Sequence, residues 1–187
     1  MEPFLLSTVL VALAEMGDKT QLLSLVLAAR FRKPWPIVAG IFVATLANHA
    51  LAGALGAWVT DWLGAQMLRW ILAGSFIAMA LWMLIPDRLE EGAAAAAPRL
   101  GVFATTVVAF FLAEMGDKTQ VATVMLAARF NAWAAVVLGT TLGMMLANAP
   151  VVWFGERLTR RLPVRAVHLV SAVLFLALGA GALLGLG

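Results

Sequence analysis

The stretch AEMGDKTQ, residues 14–21, recurs letter for letter at residues 113–120, and this repeat decides the fold. Around it, residues 14–31 and 113–130 are identical at 13 of 18 positions, at a constant offset of 99. Further equivalent pairs are Ser7 and Thr106, Ser24 and Thr123, Gly40 and Gly139, and, after one inserted residue, Asn48 and Asn148. The chain is therefore an internal duplication, with one charged motif in each half.

The composition is that of an integral membrane protein. Of 187 residues, 63% are hydrophobic and only 12% are charged, and the mean hydropathy is +0.96. At roughly 20 apolar residues per span, this length accommodates about six transmembrane helices and no large soluble domain. The chain has no cysteine, which excludes disulfides, thiolate metal sites and cysteine nucleophiles. The first apolar run lacks a basic leader region, so we assign it to the mature protein.

Six apolar segments predict an all-α polytopic membrane protein with six transmembrane helices. They lie near residues 4–29, 36–59, 63–85, 100–128, 133–154 and 165–186. The linker PDRLEEGAAAAAPR, residues 86–99, separates the halves. We therefore predict a three-helix repeat at residues 1–85, the linker, and a second three-helix repeat at residues 100–187.

The basic residues predict the orientation of the chain. Outside the motifs, nine fall on one side of the six-span arrangement: Arg30, Arg32, Lys33, Arg88, Arg99, Arg157, Arg160, Arg161 and Arg165. Only Arg69 and Arg129 fall on the other side. The positive-inside rule then places the linker in the cytoplasm and both termini outside. Because three spans is an odd number, the second repeat enters the membrane inverted, as in many secondary transporters.

An inverted repeat lets the two motifs meet and form one polar site. On a continuous helix, Glu15 and Asp18 lie on one face, as do Glu114 and Asp117. Carboxylates at membrane depth are costly and usually mark an ion pathway. Oxygen ligands without thiolate or imidazole suit magnesium, calcium or manganese. We therefore predict that these four acids bind a divalent metal ion.

A purely structural role is the alternative for the same residues. Glu15 and Lys19 have the i, i+4 spacing of an intrahelical ion pair, and Glu114 and Lys118 repeat it. That interpretation leaves Asp18 and its counterpart in the second motif without an evident partner. We favour a functional site, and the roles are compatible if each lysine orients a glutamate.

Other polar residues are predicted to support the site. Gly17 and Gly116 either unwind the helix or permit close packing, and the sequence favours neither. The candidate supporting side chains are Lys19, Thr20, Gln21, Asn48, Lys118, Thr119, Gln120 and Asn148. For the two asparagines, plain interhelical hydrogen bonding is slightly favoured over ion ligation. His49 is either a proton carrier or a polar helix contact.

The duplicated motif resembles that of a family of cation/proton antiporters found in bacteria, chloroplast envelopes and the Golgi. The family pattern is Glu, an apolar residue, Gly, Asp, Lys or Arg, then Thr or Ser, and both copies match every position. The resemblance implies exchange of Ca²⁺ or Mn²⁺ for protons, with Glu15, Asp18, Glu114 and Asp117 as ion-binding acids. Compact bacterial members are similar to manganese exporters, which implies a multi-pass protein of the bacterial inner membrane.

Charge balance suggests how exchange works. Four carboxylates and two lysines in the motifs carry a net charge of −4 + 2 = −2. One divalent cation or two protons neutralise this charge equally well, and ligands must lose protons to bind metal. We therefore expect two protons to be exchanged for each ion, with cation and protons as substrates and no cofactor.

Two rival functions remain at this stage. An intramembrane aspartyl protease also uses paired aspartates, and a channel or small-solute exporter also needs a polar pathway. Neither accounts for a doubled Glu and Lys as economically, so we expect a transporter and no enzyme. The expected partners are a divalent metal ion, protons and the lipid bilayer, without nucleic acid. The sequence permits an oligomer but does not indicate one.

Overall fold

The computed structural model describes residues 1–85, 101–155 and 163–185. Within these ranges it is all-helical, with eight helices and no strand. They are α1 (Glu2–Glu15), α2 (Lys19–Phe31), α3 (Pro34–Trp62), α4 (Ala65–Trp82), α5 (Gly101–Glu114), α6 (Lys118–Phe130), α7 (Trp133–Phe154) and α8 (Val164–Leu184). The predicted linker, residues 86–99, lies outside the described residues.

Two of the six predicted spans are broken rather than continuous. Residues 4–29 form α1 and α2, and residues 100–128 contribute to α5 and α6, with each break inside the charged motif. Gly17 and Gly116 take left-handed φ values of +85° and +75° at the breaks, a conformation that costs glycine little. Four helices are long and apolar enough to cross a membrane by length and composition: α3, α4, α7 and α8.

The first helix of each half packs against the longest helix of the other half. At Gly40 of α3, an added Cβ would lie 2.7 Å from Cβ of Thr106 in α5. At Gly139 of α7, an added Cβ would lie 3.1 Å from Cβ of Ser7 in α1. Both pairs are equivalent under the offset of 99, so the glycines that the duplication retains permit reciprocal close contacts between the halves.

The last described helix of each half, α4 in the first and α8 in the second, packs against the other. Phe76 and Phe175 stack there with ring centroids 6.3 Å apart, and both are buried. These phenylalanines also occupy equivalent positions in the two repeats. Many large apolar side chains elsewhere are exposed, including Leu51, Leu81 and Leu184, as expected for a surface that faces lipid.

Candidate functional site

The helix breaks place all four motif acids in the interior. Glu15 and Glu114 are the last residues of α1 and α5, whereas Asp18 and Asp117 precede the first residues of α2 and α6 as N-caps. All four are at most 3% exposed. The expectation that each Glu and Asp share a face of one continuous helix is therefore wrong. The acids flank an unwound segment instead, because the positive φ of the glycine ends the helix between them.

Three of the four acids form a compact group that draws on both halves. One carboxylate oxygen from each of Glu15, Glu114 and Asp117 lies within 4.8 Å of the others. Asp18 is buried but is not part of this group. The group has the spacing and chemistry to coordinate one ion through oxygen atoms.

The motif threonines orient the two glutamates. Thr20 donates a hydrogen bond to Oε2 of Glu15, and Thr119 donates to Oε2 of Glu114 at 3.0 Å. The other oxygen, Oε1, of each glutamate is buried and accepts no hydrogen bond from the described residues. A buried carboxylate oxygen without a donor is unfavourable, so a cation or a proton at this position would stabilise the site.

The lysine of the first motif links the two halves. Its Nζ lies 2.7 Å from Oδ1 of Asp117, so the alternative of an intrahelical pair between Glu15 and Lys19 does not describe this lysine. The break in the helix removes the i, i+4 geometry that this pair requires. Lys118 is placed differently and donates to the carbonyl of Ile85 at 2.8 Å. Identical motifs thus have unlike lysine contacts.

The motif glutamines hold the unwound segments in place. Oε1 of Gln21 accepts a hydrogen bond from the amide of Gly17 at 2.9 Å, and its Nε2 donates to the carbonyl of Ala147 in α7 at 2.9 Å. Gln120 accepts from the amide of Gly116 at 2.7 Å and donates to Oδ1 of Asn48 in α3. Each glutamine therefore ties its own motif to a long helix of the opposite half, and neither has a hydrogen bond to a motif carboxylate in the described structure.

The asparagines also bond to residues of the other half. Asn148 accepts from Oγ of Ser24 at 3.1 Å and lies 3.5 Å from Oγ1 of Thr20. Asn48 donates to the carbonyl of Phe111 at 3.3 Å. This agrees with the interhelical hydrogen bonding favoured above. Sequence reasoning assigned Ser24 no role, although its alignment with a threonine in the second repeat was a signal.

Near Asn48, the His49 side chain is fully buried, and neither ring nitrogen has a hydrogen-bond partner among the described residues. It has no equivalent histidine in the second half, where Ala149 follows Asn148. It is not part of the three-carboxylate group. The structure therefore shows no direct contact of His49 with the acids.

The two motifs differ in what covers them. An added Cβ at Gly17 would lie 3.2 Å from Cβ of Val164 and closer still to its methyl groups. A ring nitrogen of His168 lies 3.0 Å from the carbonyl oxygen of Met16. The start of α8 thus covers the first motif, a role for His168 that the sequence did not indicate. At Gly116 an added Cβ meets no atom of the described residues within 4 Å, and Met115 is 58% exposed.

A second asymmetry lies between the helices that follow the motifs and the long helices. Ala127 of α6 packs tightly on Gly56 of α3, since a Cβ added at Gly56 would lie 3.0 Å from Cβ of Ala127. The next residue of α6, Ala128, accepts a hydrogen bond at its carbonyl from Oγ1 of Thr60 at 3.2 Å. The residue of α2 equivalent to Ala127 is Ala28, which lines a cavity of about 530 Å³ instead. Its lining is Leu25, Val26, Ala28, Ala29, Val152, Trp153, Phe154 and Gly155. The helices α3 and α6 are therefore in close contact, whereas a cavity separates the equivalent part of α2 from α7.

Known proteins are similar to this chain in both of its halves. A family model described as "Divalent cation/proton antiporter GDT1" matches residues 3–91 and 102–186. A protein named "Putative manganese exporter" from Vibrio cholerae is 52% identical over 177 residues, which cover 94% of this chain and 88% of the relative.

More distant relatives extend the similarity to photosynthetic organisms. A "GDT1-like protein" of Synechocystis is 27% identical, covering 92% of each chain. "GDT1-like protein 3" of Oryza sativa subsp. indica is 26% identical over 89% of this chain and 68% of the relative. No solved structure matches the chain.

Proposed function

The chain belongs to the divalent cation/proton antiporter family GDT1, and from that membership we propose that it exports a divalent cation, Mn²⁺ before Ca²⁺, in exchange for protons. The family consists of transporters, so the chain is not an enzyme and the protease alternative is set aside. Cations are substrates here and not cofactors. The preference for Mn²⁺ is supported by the name of the Vibrio relative.

One observation carries the proposed ion site. Glu15 and Glu114 each have a buried oxygen without a hydrogen-bond partner among the described residues, and one carboxylate oxygen of each lies within 4.8 Å of a carboxylate oxygen of Asp117. Such a group of hard oxygen atoms suits Mn²⁺ or Ca²⁺. We assign Asp18 to the same site as the fourth acid, since it is equivalent to Asp117 and equally buried. Threonines, lysines, glutamines and asparagines of the two halves then support these acids.

Proton exchange follows from the charge of the same site. The two motifs sum to −2 when all four acids are ionised and both lysines are protonated. Leaving that charge in the membrane interior without compensation is unfavourable. We propose that the site changes its access from one side of the membrane to the other with the divalent ion bound, and changes back with two protons bound. Each loaded form of the site is then neutral.

We further propose that the halves are inverted repeats with the site at their interface. Support comes from the reciprocal contacts of Gly40 with Thr106 and of Gly139 with Ser7. The proposed units remain residues 1–85 and 100–187, joined by a cytoplasmic linker at residues 86–99. The proposed location is the bacterial inner membrane with both termini outside.

In alternating access, the covered and uncovered motifs would then change places, so that the second motif becomes covered and the first uncovered. In the described state, the start of α8 covers the first motif, and the cavity between α2 and α7 lies at the carboxyl ends of these helices, near the predicted cytoplasmic face. In the opposite state, the start of α4 would cover the second motif. Ala65 and Val164 are the first residues of α4 and α8, so in that state Ala65 would approach Gly116 and Met115.

Cross-linking in this naturally cysteine-free chain tests the exchange of environments. We expect Ala65→Cys with Met115→Cys to be joined by a short bifunctional thiol reagent during transport. The control pair Met16→Cys with Val164→Cys should be joined without substrate, because Val164 lies against Gly17, the neighbour of Met16, in the described state. If the first pair stays unjoined while the same double variant transports metal, the proposed movement is wrong.

The function itself is tested by proton flux in proteoliposomes. An internal pH dye is recorded while Mn²⁺ or Ca²⁺ is added separately, for the wild type and for Asp18→Asn with Asp117→Asn. We expect metal-triggered proton movement in the wild type alone, with Mn²⁺ more effective. Metal entry without proton movement would contradict the exchange mechanism, and a larger response to Ca²⁺ would contradict the proposed preference.

A further inference from the structure

Lys19 brings a positive charge of the protein itself to the three-carboxylate group. Its Nζ lies 2.7 Å from Oδ1 of Asp117. This ion pair joins the first residue of α2 to the N-cap residue of α6, which belongs to the other half. Lys118, the equivalent lysine of the second motif, donates to the carbonyl of Ile85. Lys19 is thus in direct contact with one of the acids that meet at the interface of the halves.

Both oxygens of Asp117 have partners, unlike those of the two glutamates. Oδ1 is paired with Lys19, and Oδ2 accepts from the amide and the hydroxyl of Thr119, each at 3.4 Å. By contrast, Oε1 of Glu15 and Oε1 of Glu114 have no hydrogen-bond partner among the described residues. A cation that enters the group therefore meets free oxygens on the glutamates, whereas Oδ1 of Asp117 already binds an ammonium group.

A metal ion and the ammonium group of Lys19 are poorly compatible at one carboxylate oxygen. Calcium–oxygen bonds are about 2.3–2.6 Å long. With Nζ at 2.7 Å from Oδ1, two cations on that oxygen would be at most about 5.3 Å apart. Asp117 is only 3% exposed, so water screens little of the repulsion between them. Binding of the ion at this oxygen therefore requires that the ammonium group leave it.

The lysine is the partner that is able to move. Its side chain is 22% exposed, against 3% for Asp117, and its ammonium group is carried on a flexible four-carbon stem. Lys19 also lies directly after the break that separates α1 from α2. Displacement would therefore carry the ammonium group toward solvent and leave the Asp117 carboxylate within the group.

We propose that Lys19 is a tethered competitor of the transported ion, so that its ammonium group and the divalent cation bind Asp117 in turn. The proposal rests on the proposed transport function and adds a residue that sets ion affinity. Competition weakens the hold of the site on the ion and so favours its release. Since the ion pair joins the two halves, binding of the ion also removes one link between them.

Mn²⁺ binding to the purified full chain in detergent, measured by calorimetry, tests the competition. We expect Lys19→Met to bind Mn²⁺ at least about tenfold more tightly than the wild type, the equivalent of one charge-assisted hydrogen bond. Lys19→Arg keeps the charge and should bind no more tightly than the wild type. The control Lys33→Met removes an exposed positive charge outside the motifs and should leave the affinity unchanged. In an Asp117→Asn background the gain from Lys19→Met should disappear, because the competition requires that carboxylate.

Each outcome decides the proposal. Unchanged or weaker binding by Lys19→Met would overturn it, and so would Lys19→Arg binding as tightly as Lys19→Met. An equal gain in the Asp117→Asn background would also overturn it, since the effect would then be one of general charge. Where Asp117→Asn abolishes measurable binding, the comparison of Lys19→Met with Lys19→Arg and Lys33→Met decides.

Two further results separate this proposal from its premise and from a folding defect. If neither Mn²⁺ nor Ca²⁺ binds to the wild type, the proposed function is refuted and the competition with it. If the wild type binds Mn²⁺ and Lys19→Met gains nothing, the competition alone is refuted. If Lys19→Met does not fold, Lys19→Gln takes its place with the same expected gain, because glutamine removes the charge but can still donate to Asp117.

Discussion

Replacing Glu15 by glutamine is expected to abolish metal transport while leaving the protein folded. Glutamine has nearly the same shape, and its Oε1 can still accept the hydrogen bond that Thr20 donates to Glu15. The substitution removes one negative charge and one hard ligand from the group that Glu114 and Asp117 complete. Breaking a buried charge pair costs about 3–5 kcal/mol, which corresponds to a loss of roughly a hundredfold to several thousandfold in ion affinity.

The chain provides a matched control on the same helix. Glu2 also lies in α1 but is exposed, so Glu2→Gln should leave transport unchanged. Mn²⁺ accumulation in inside-out vesicles measures the effect, and binding to the purified protein separates ion affinity from movement. Glu114→Gln should match Glu15→Gln, because Thr119 holds Glu114 as Thr20 holds its counterpart. Transport near the wild-type rate in either variant would refute the ion site.

The second large effect is expected at Gly17. Alanine there meets a backbone φ of +85° and places a Cβ against the side chain of Val164. The conformation alone costs about 1–3 kcal/mol, and the overlap costs about 1–3 kcal/mol more. Gly116→Ala meets a similar φ of +75°, but no atom within residues 1–85, 101–155 and 163–185 lies within 4 Å of its Cβ. We therefore expect Gly17→Ala to lower the Tm more than Gly116→Ala does.

A double-mutant cycle isolates the contact from the backbone strain. Val164→Ala should restore part of the stability lost in Gly17→Ala, and it should restore none in Gly116→Ala. Thermal unfolding in one detergent measures the stability of the wild type, of each single variant and of each double variant. Equal losses at the two glycines, with no rescue at either, would show that the described closure over the first motif is absent in solution.

The prediction from residue types agrees with the structure in the burial of the four acids, whereas their binding of a metal ion stays a prediction. Duplicated acids in an apolar chain indicated a buried site of oxygen ligands, and Glu15, Glu114 and Asp117 do meet. The prediction failed where it assumed a regular helix through the motif. Local spacing predicted a pair between Glu15 and Lys19, whereas the glycine break turns Lys19 toward Asp117 of the other half.

The sequence by itself determined the class of protein, its duplication and the chemistry of its acids, because composition and repeated residues are independent of how the chain packs. Only the tertiary structure decided which oxygens meet and why identical motifs differ. The first motif is covered by Val164 and His168, whereas no described residue lies within 4 Å of a Cβ added at Gly116 of the second. Two identical octapeptides have the same local preferences, so a difference between them comes from packing against parts of the chain distant in sequence.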